Sequence, residues 1–184
     1  MAGYGVRHEE APVRPGRRHR NPRNSDVRQR DHDALMATPT HRGRVDMPVR
    51  WSDVDLFGHV NNAAYLRYLD DARFTLFPSM GVDENGALTA SMLVVVKHEI
   101  DYLAPLTFRP APFVVEVWVP RIGRSSVDFG YEVLDAADPD LVYLRARSRM
   151  VQLDQKTHLS RPFTPDERAA LETYREDAPA LRGW

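Results

Sequence analysis

Apolar and polar positions change their period several times along the chain. Between residues 45 and 51 they alternate, with Val45, Met47, Val49 and Trp51 on one side and Asp46 and Arg50 on the other, which is the period of a β-strand. Pro48 interrupts this run, and a residue without an N–H donor fits an edge strand or a bulge. From 62 to 77 the period becomes helical: Tyr65, Leu69, Ala72 and Leu76 recur three or four positions apart, and Leu66, Phe74 and Phe77 widen the apolar stripe. This helix is expected to be buried on most sides. Asn61 or Asn62 supplies its N-cap, Arg67 and Asp71 have the spacing of an i, i+4 ion pair, and Pro78 with Gly81 ends it. After a polar turn at 83–86 the period returns to two. Strands are expected at 91–103, 113–122, 125–135 and 141–153, and the short breaks between them make neighbours antiparallel. In the last strand Arg145, Arg147 and Arg149 face one way and Leu144, Ala146, Ser148 and Met150 the other. Thr164-Pro165-Asp166-Glu167 then places a Thr N-cap, Pro at N1 and Glu at N3, which starts a short C-terminal helix running through Tyr174.

One strand, one long helix and a series of antiparallel strands make an α+β domain whose sheet curls around the helix. The expected domain spans 44–176, with a C-terminal tail at 177–184. Residues 1–43 differ: they carry Arg7, Arg14, Arg17, Arg18, Arg20, Arg23, Arg28 and Arg30 among Pro, His, Asn and Asp, with hardly any aliphatic residues. Such a segment cannot bury enough apolar surface to offset its ordering entropy and is expected to be a disordered basic tail. A solvated tail, or a native start at Met36, is preferred over a basic arm for nucleic acid, because no helical or aromatic pattern accompanies the charge. The formal net charge of −1 gives no general pull toward polyanions, and no nucleic-acid partner is expected. Cysteine is absent, which excludes disulfides, thiolate metal sites and a cysteine nucleophile. No apolar run reaches the roughly 20 residues of a membrane span, and no apolar region follows the basic N-terminus as in a signal peptide. The expected protein is soluble, cytoplasmic and without a membrane partner.

The chemistry concentrates between Arg50 and Leu66, where carboxylates, a turn glycine, a histidine and two asparagines stand immediately before the helix. Free backbone N–H groups and the positive dipole end at such a position favour developing negative charge. Asp55 is able to attack a carbonyl or to activate water, and backbone amides near Gly58, His59 and Val60 to donate to an oxyanion, with Asn61 as a further positioning residue. His59 could orient Asp55, position water or protonate a leaving group; a structural role competes equally. Asp55 could instead be a turn carboxylate, and for Asp53 the loop-fixing role is preferred. Asp70 and Asp71 are read as helix salt bridges with Arg67 and Arg73, and the arginine row as a solvated strand face. His59, His98 and His158 show no metal-ligand spacing, so no metal and no retained cofactor are expected.

The run Trp51-Ser52-Asp53-Val54-Asp55, then Gly58-His59-Val60-Asn61-Asn62-Ala63 with Tyr65, then Asp70-Asp71-Ala72-Arg73, resembles the hotdog-fold acyl-CoA thioesterases of the 4-hydroxybenzoyl-CoA thioesterase type. Glu99-Ile100-Asp101-Tyr102-Leu103-Ala104-Pro105-Leu106 and Ile122-Gly123-Arg124-Ser125-Ser126 fit the same family's strands. The resemblance implies a single hotdog domain, a curved antiparallel sheet wrapped around a long central helix. It also implies a homodimer joined sheet edge to sheet edge, or a homotetramer, with active sites at subunit interfaces and an acyl-CoA substrate. Asp55 corresponds to the family's catalytic carboxylate, with Gly58 and His59 beside the thioester. Arg124, Ser125 and Ser126 are candidates for holding CoA. Plant acyl carrier protein thioesterases share His-Val-Asn-Asn but carry a catalytic Asn where this chain has Phe57, which favours CoA thioesters. An acyl-CoA-sensing module with a basic arm, and an enoyl-thioester hydratase or dehydratase, are the competing readings.

Overall fold

The structure is a computed structural model and describes residues 42–77 and 92–183. The expectations for the basic tail up to residue 41, for Met36, for the helix stop at Pro78 and Gly81, and for the turn at 83–86 lie outside the described residues. The elements in chain order are β1 (Gly43–Met47), a 3-10 turn (Trp51–Asp53), α1 (Asn62–Leu76), β2 (Met92–Tyr102), β3 (Phe113–Ile122), β4 (Ser126–Asp135), β5 (Val142–Leu153) and α2 (Pro165–Glu172). The five strands form one antiparallel sheet in the order β1-β3-β4-β5-β2. β1 is an edge strand and stops at Met47, one residue before the proline, as expected of a residue that cannot donate to a ladder. Register shifts leave extra residues in β2, β3 and β5, and such bulges bend strands, so the sheet can curve around a helix.

The inner face carries Phe113, Val115, Val117 and Val119 of β3, Val127, Phe129, Tyr131 and Val133 of β4, and Leu144, Ala146 and Met150 of β5. Against it lies the buried stripe of α1: Ala64, Tyr65, Tyr68, Leu69 and Ala72. Ring edges meet ring faces where they touch, at 5.0 Å for Tyr68 and Phe113 and 5.4 Å for Phe77 and Phe129. The fold is the expected single α+β hotdog domain. Asn61 caps α1, its side chain accepting the Ala63 N–H at 2.9 Å. The capping box of α2 also forms: Thr164 Oγ1 accepts the Glu167 N–H, and Glu167 accepts the Thr164 N–H.

Three details of the helix and the turn before it differ from the pattern. Phe74 is half exposed, whereas Arg73 is buried, its guanidinium donating to Tyr131 Oη at 3.0 Å and to Asp70 at 2.7 Å. A buried charge is tolerable when its donors are met. Arg67 pairs with Asp53 at 2.7 Å and Asp71 with Arg50 at 2.6 Å, so the two do not pair with each other. Trp51, placed by alternation on the buried side, is 75% exposed because β1 has ended before it.

On the outer face, Arg145, Arg147 and Arg149 stand across the ladder from Glu132, Glu99 and Asp128 and pair with them at 2.7–2.8 Å. This is a face of cross-strand ion pairs. Trp118 also lies on this side, fully buried, with its indole N–H donating to the Asp177 carbonyl at 2.6 Å and the Arg42 guanidinium 3.9 Å from the ring. Arg42 further binds Glu116, Glu132 and Glu176, and the Arg182 N–H reaches Asp101. The C-terminal tail is thus bound to the sheet at residues 177 and 182.

Candidate active site

After the 3-10 turn the chain reverses through residues 54–60. Val54 faces Val60, the Asp55 N–H donates to the His59 carbonyl at 3.0 Å, and the Asp55 carbonyl accepts the Gly58 N–H at 3.0 Å. Gly58 has φ +77°, a left-handed value that costs glycine little and other residues more. A Cβ there would meet nothing within 4 Å, so the demand is on the backbone and not on space. Asp55 Oδ1 accepts the Phe57 N–H at 2.9 Å, the side-chain turn common for aspartate. Its Oδ2 has no hydrogen bond among the described residues. The carboxylate therefore fixes the turn with one oxygen and leaves the other free.

Asp55 forms part of the wall of a cleft of about 600 Å³ at the N-terminus of α1, with His59, Asn62 and Tyr65 on one side and Tyr102, Leu103, Ala104 and Pro105 on the other. Tyr65 and Tyr102 meet edge to face at 5.7 Å, and the Tyr102 hydroxyl donates to the Asn62 carbonyl at 3.0 Å. Burial pushes the Tyr65 phenol up to about 12, so both rings present neutral aromatic surface. Leu56 and Phe57, at the tip of the loop, are almost fully exposed.

Of the amides expected around an oxyanion, three are in use. The Gly58 N–H goes to Asp55, Val60 to the Leu106 carbonyl at 2.8 Å, and Asn61 to the Asp53 carbonyl at 2.8 Å. Those three residues shape the loop and helix start. Among the described residues, the amides of His59 and Asn62 have no acceptor, and both residues line the cleft. No hydrogen bond to the His59 ring occurs among the described residues either. Asp53 is buried, bound to Arg67 through Oδ1, with Arg50 Nε 3.6 Å from Oδ2, and its backbone holds Asn61. It fixes the loop to the helix, the role preferred for it from the sequence.

The opposite wall belongs to the β2–β3 connection. The Tyr143 carbonyl accepts the N–H groups of Leu103 and Ala104 at 2.9 and 3.3 Å. The Tyr143 hydroxyl donates to Asp135 at 2.7 Å, and Arg109 binds both Asp135 and Tyr143. The Arg109 guanidinium, with help from Tyr143 and the Ala137 N–H, holds the Asp135 carboxyl well below the usual carboxylate range. A depressed native value means that this contribution is complete above the unfolded value of about 4 and is lost as pH falls through the native one. Urea unfolding at pH 7, 4 and 3 should therefore show Asp135→Asn less stable than wild type at pH 7, with the gap narrowing as the pH falls.

Arg124, Ser125 and Ser126 occupy the β3–β4 hairpin. The register places this hairpin with Met92 and Leu153 at one end of the sheet, whereas Tyr102, Phe113 and Asp135 mark the other end, where the cleft opens. Within one chain the structure does not bring these three residues to Asp55.

The sequence model of the thioesterase-like superfamily matches residues 49–171, which include the cleft, the turn around Gly58 and the strands β2 to β5. The chain belongs to the thioesterase-like superfamily. Among solved structures, the PA2801 protein of Pseudomonas aeruginosa is 35% identical with a TM-score of 0.60, covering 71% of this chain and 97% of its own. A thioesterase of Thermus thermophilus, solved with coenzyme A and Zn, is 29% identical with a TM-score of 0.58, covering 70% and 95%. A curated relative, the chloroplastic acyl-acyl carrier protein thioesterase ATL2 of Arabidopsis thaliana, is 28% identical over 113 residues, 61% of this chain. The match spans only 59% of that relative's length. Among the described residues of this superfamily member, no helix is long and apolar enough to cross a membrane.

Proposed function

We propose that the chain is an acyl-CoA thioesterase of the 4-hydroxybenzoyl-CoA thioesterase type, with Asp55 as its catalytic carboxylate. The observation that carries this reading is one cleft at the start of α1 lined by Asp55, whose Oδ2 has no hydrogen bond among the described residues, and by His59 and Asn62, whose amides have no acceptor among them. In one route Oδ2 attacks the thioester carbonyl, the C–S bond breaks, and water then hydrolyses the acyl-aspartate. In the other it takes a proton from the water that attacks. Both consume one water and give a free acid and the CoA thiol. The amides of His59 and Asn62 are the proposed oxyanion donors, in a position where the helix dipole adds to them. Gly58, Val60 and Asn61 position those donors, and His59 contributes its backbone to the Asp55 turn.

The likeness to a thioesterase solved with coenzyme A supports the choice of CoA. A carrier-protein thioester is the second reading, favoured by the Arabidopsis relative. The edge strand β2 exposes Val95, Val96 and Tyr102, and a second copy pairing along it is the proposed dimer. Antiparallel pairing of two β2 strands would turn the partner's Arg124 hairpin toward the end of the sheet where this cleft opens. Arg124, Ser125 and Ser126 are in that arrangement the proposed holders of CoA for the neighbouring site.

The reading is tested by measuring thiol release from acyl-CoAs of graded chain length and aromatic type, with the same acyl groups on a carrier protein alongside. Turnover of at least one CoA ester, faster than its carrier-protein counterpart, is expected. Absence of turnover with every thioester would sink the assignment.

A further inference from the structure

We infer that Arg109, Asp135 and Tyr143, none of which lines the cleft, form a positioning cluster that holds the Asp55–Val60 loop in its catalytic place. The inference rests on the thioesterase reading for its kinetic consequence but not for its mechanical one.

The chain of contacts is short. Tyr143 grips the start of the β2–β3 connection through its backbone carbonyl, which takes both the Leu103 and the Ala104 N–H. Its phenol grips the far part of the same connection through Arg109, whose Nη1 lies 3.0 Å away, and shares Asp135 with it. Asp135 is anchored in turn by the N–H groups of Ala137 and Asp138, at 2.8 and 3.2 Å. Arg109 Nη2 also reaches the Pro112 carbonyl at 3.3 Å, closing the connection onto itself.

Between these two fixed points the connection touches the catalytic loop twice and the 3-10 turn before it once. The buried Leu106 accepts the Val60 N–H, Thr107 pairs with His59, and Phe108 packs edge to face on Trp51 at 5.6 Å. Residues 59 and 60 are thereby set against a segment whose ends both depend on Tyr143. Losing Arg109 would leave the buried Asp135 carboxylate short of its charge partner, and that cost keeps the half-buried guanidinium and its segment from drifting. A displacement of about 1 Å at reacting groups is enough to cost on the order of 10²-fold in rate.

Tyr143→Phe tests this with the least disturbance, because it removes one hydroxyl and keeps the ring and the backbone carbonyl. Arg109→Ala and Arg109→Lys accompany it. Amide hydrogen exchange is read by peptide, and hydrolysis is measured on protein shown to be folded at the assay temperature. Expected results for Tyr143→Phe and Arg109→Ala are exchange at 56–62 faster by about tenfold, protection retained in β3 and β4, kcat lower by about tenfold or more, and KM within about threefold. Arg109→Lys, which keeps the charge, should recover much of both. Unchanged exchange at 56–62 would overturn the inference whatever the activity. So would faster exchange with kcat unchanged, or a lower Tm as the sole effect. If the wild type hydrolyses no thioester, the thioesterase reading fails by itself, and the exchange data still decide whether the cluster holds the loop.

Discussion

Asp55→Asn should lower kcat for the best acyl-CoA by about 10²- to 10⁴-fold, the range expected when an acid–base or nucleophilic carboxylate is lost. The fold should hardly notice. An asparagine Oδ1 can accept the Phe57 N–H as Asp55 Oδ1 does at 2.9 Å, and the Gly58 turn rests on backbone bonds that the change leaves alone. KM should stay within a few fold, because the bulk of the cleft comes from Tyr65, Tyr102 and the segment 103–105. Asp55→Ala is the informative companion. It removes the turn bond as well as the charge, so any extra loss in Tm relative to Asp55→Asn measures the turn role alone. A steady-state assay with circular dichroism melts separates the two. Near-normal kcat in Asp55→Asn would leave Asp55 as a turn residue and move the chemistry elsewhere.

The second large effect concerns stability. An added Cβ at Gly130 would stand 2.6 Å from Trp118 Cε2, closer than side chains approach one another. Trp118 is not free to yield, since its N–H is bound to Asp177 and Arg42 lies over its ring. Gly130→Ala should therefore destabilise by about 1–3 kcal/mol, the usual range for overpacking. In a domain of this size each kcal/mol lowers Tm by roughly 2–4 °C. The loss should be strongly non-additive with Trp118→Ala, which by itself costs about 3–5 kcal/mol and opens the space the methyl needs. Differential scanning calorimetry on the two single variants and the double variant measures this. Specific activity well below Tm should be unchanged, because this contact lies on the face of the sheet turned away from α1. An additive double variant would mean that the clash relaxes through the backbone.

The strands and the helix were legible because each sets its period with residues of its own. Alternation in β5 separated Arg145, Arg147 and Arg149 from Leu144, Ala146 and Ser148, and local cap chemistry marked Asn61 and Thr164. Gly58 and Asp55 were legible too, since a turn before a helix is written in adjacent residues. Periodicity failed at Arg73 and Phe74 because it ranks side chains by polarity and cannot know that Tyr131, far away in sequence, offers a hydroxyl to a buried guanidinium. It also could not tell a free amide from an engaged one. Whether the Val60 N–H is available depends on Leu106, and nothing local to either residue reveals their pairing. The Arg124 hairpin is a matter of register: which end of the sheet a turn occupies follows only once every strand is paired.

The near-complete exposure of Leu56 makes it a natural place to attach a reporter. The sequence contains no cysteine, so Leu56→Cys would introduce the sole thiol, next to Asp55 and away from every packed contact. A maleimide fluorophore at that point would sit on the rim of the cleft with the exposed ring of Phe57 as its neighbour. Its emission would report when a ligand occupies the cleft, in a protein that needs no background thiols removed first.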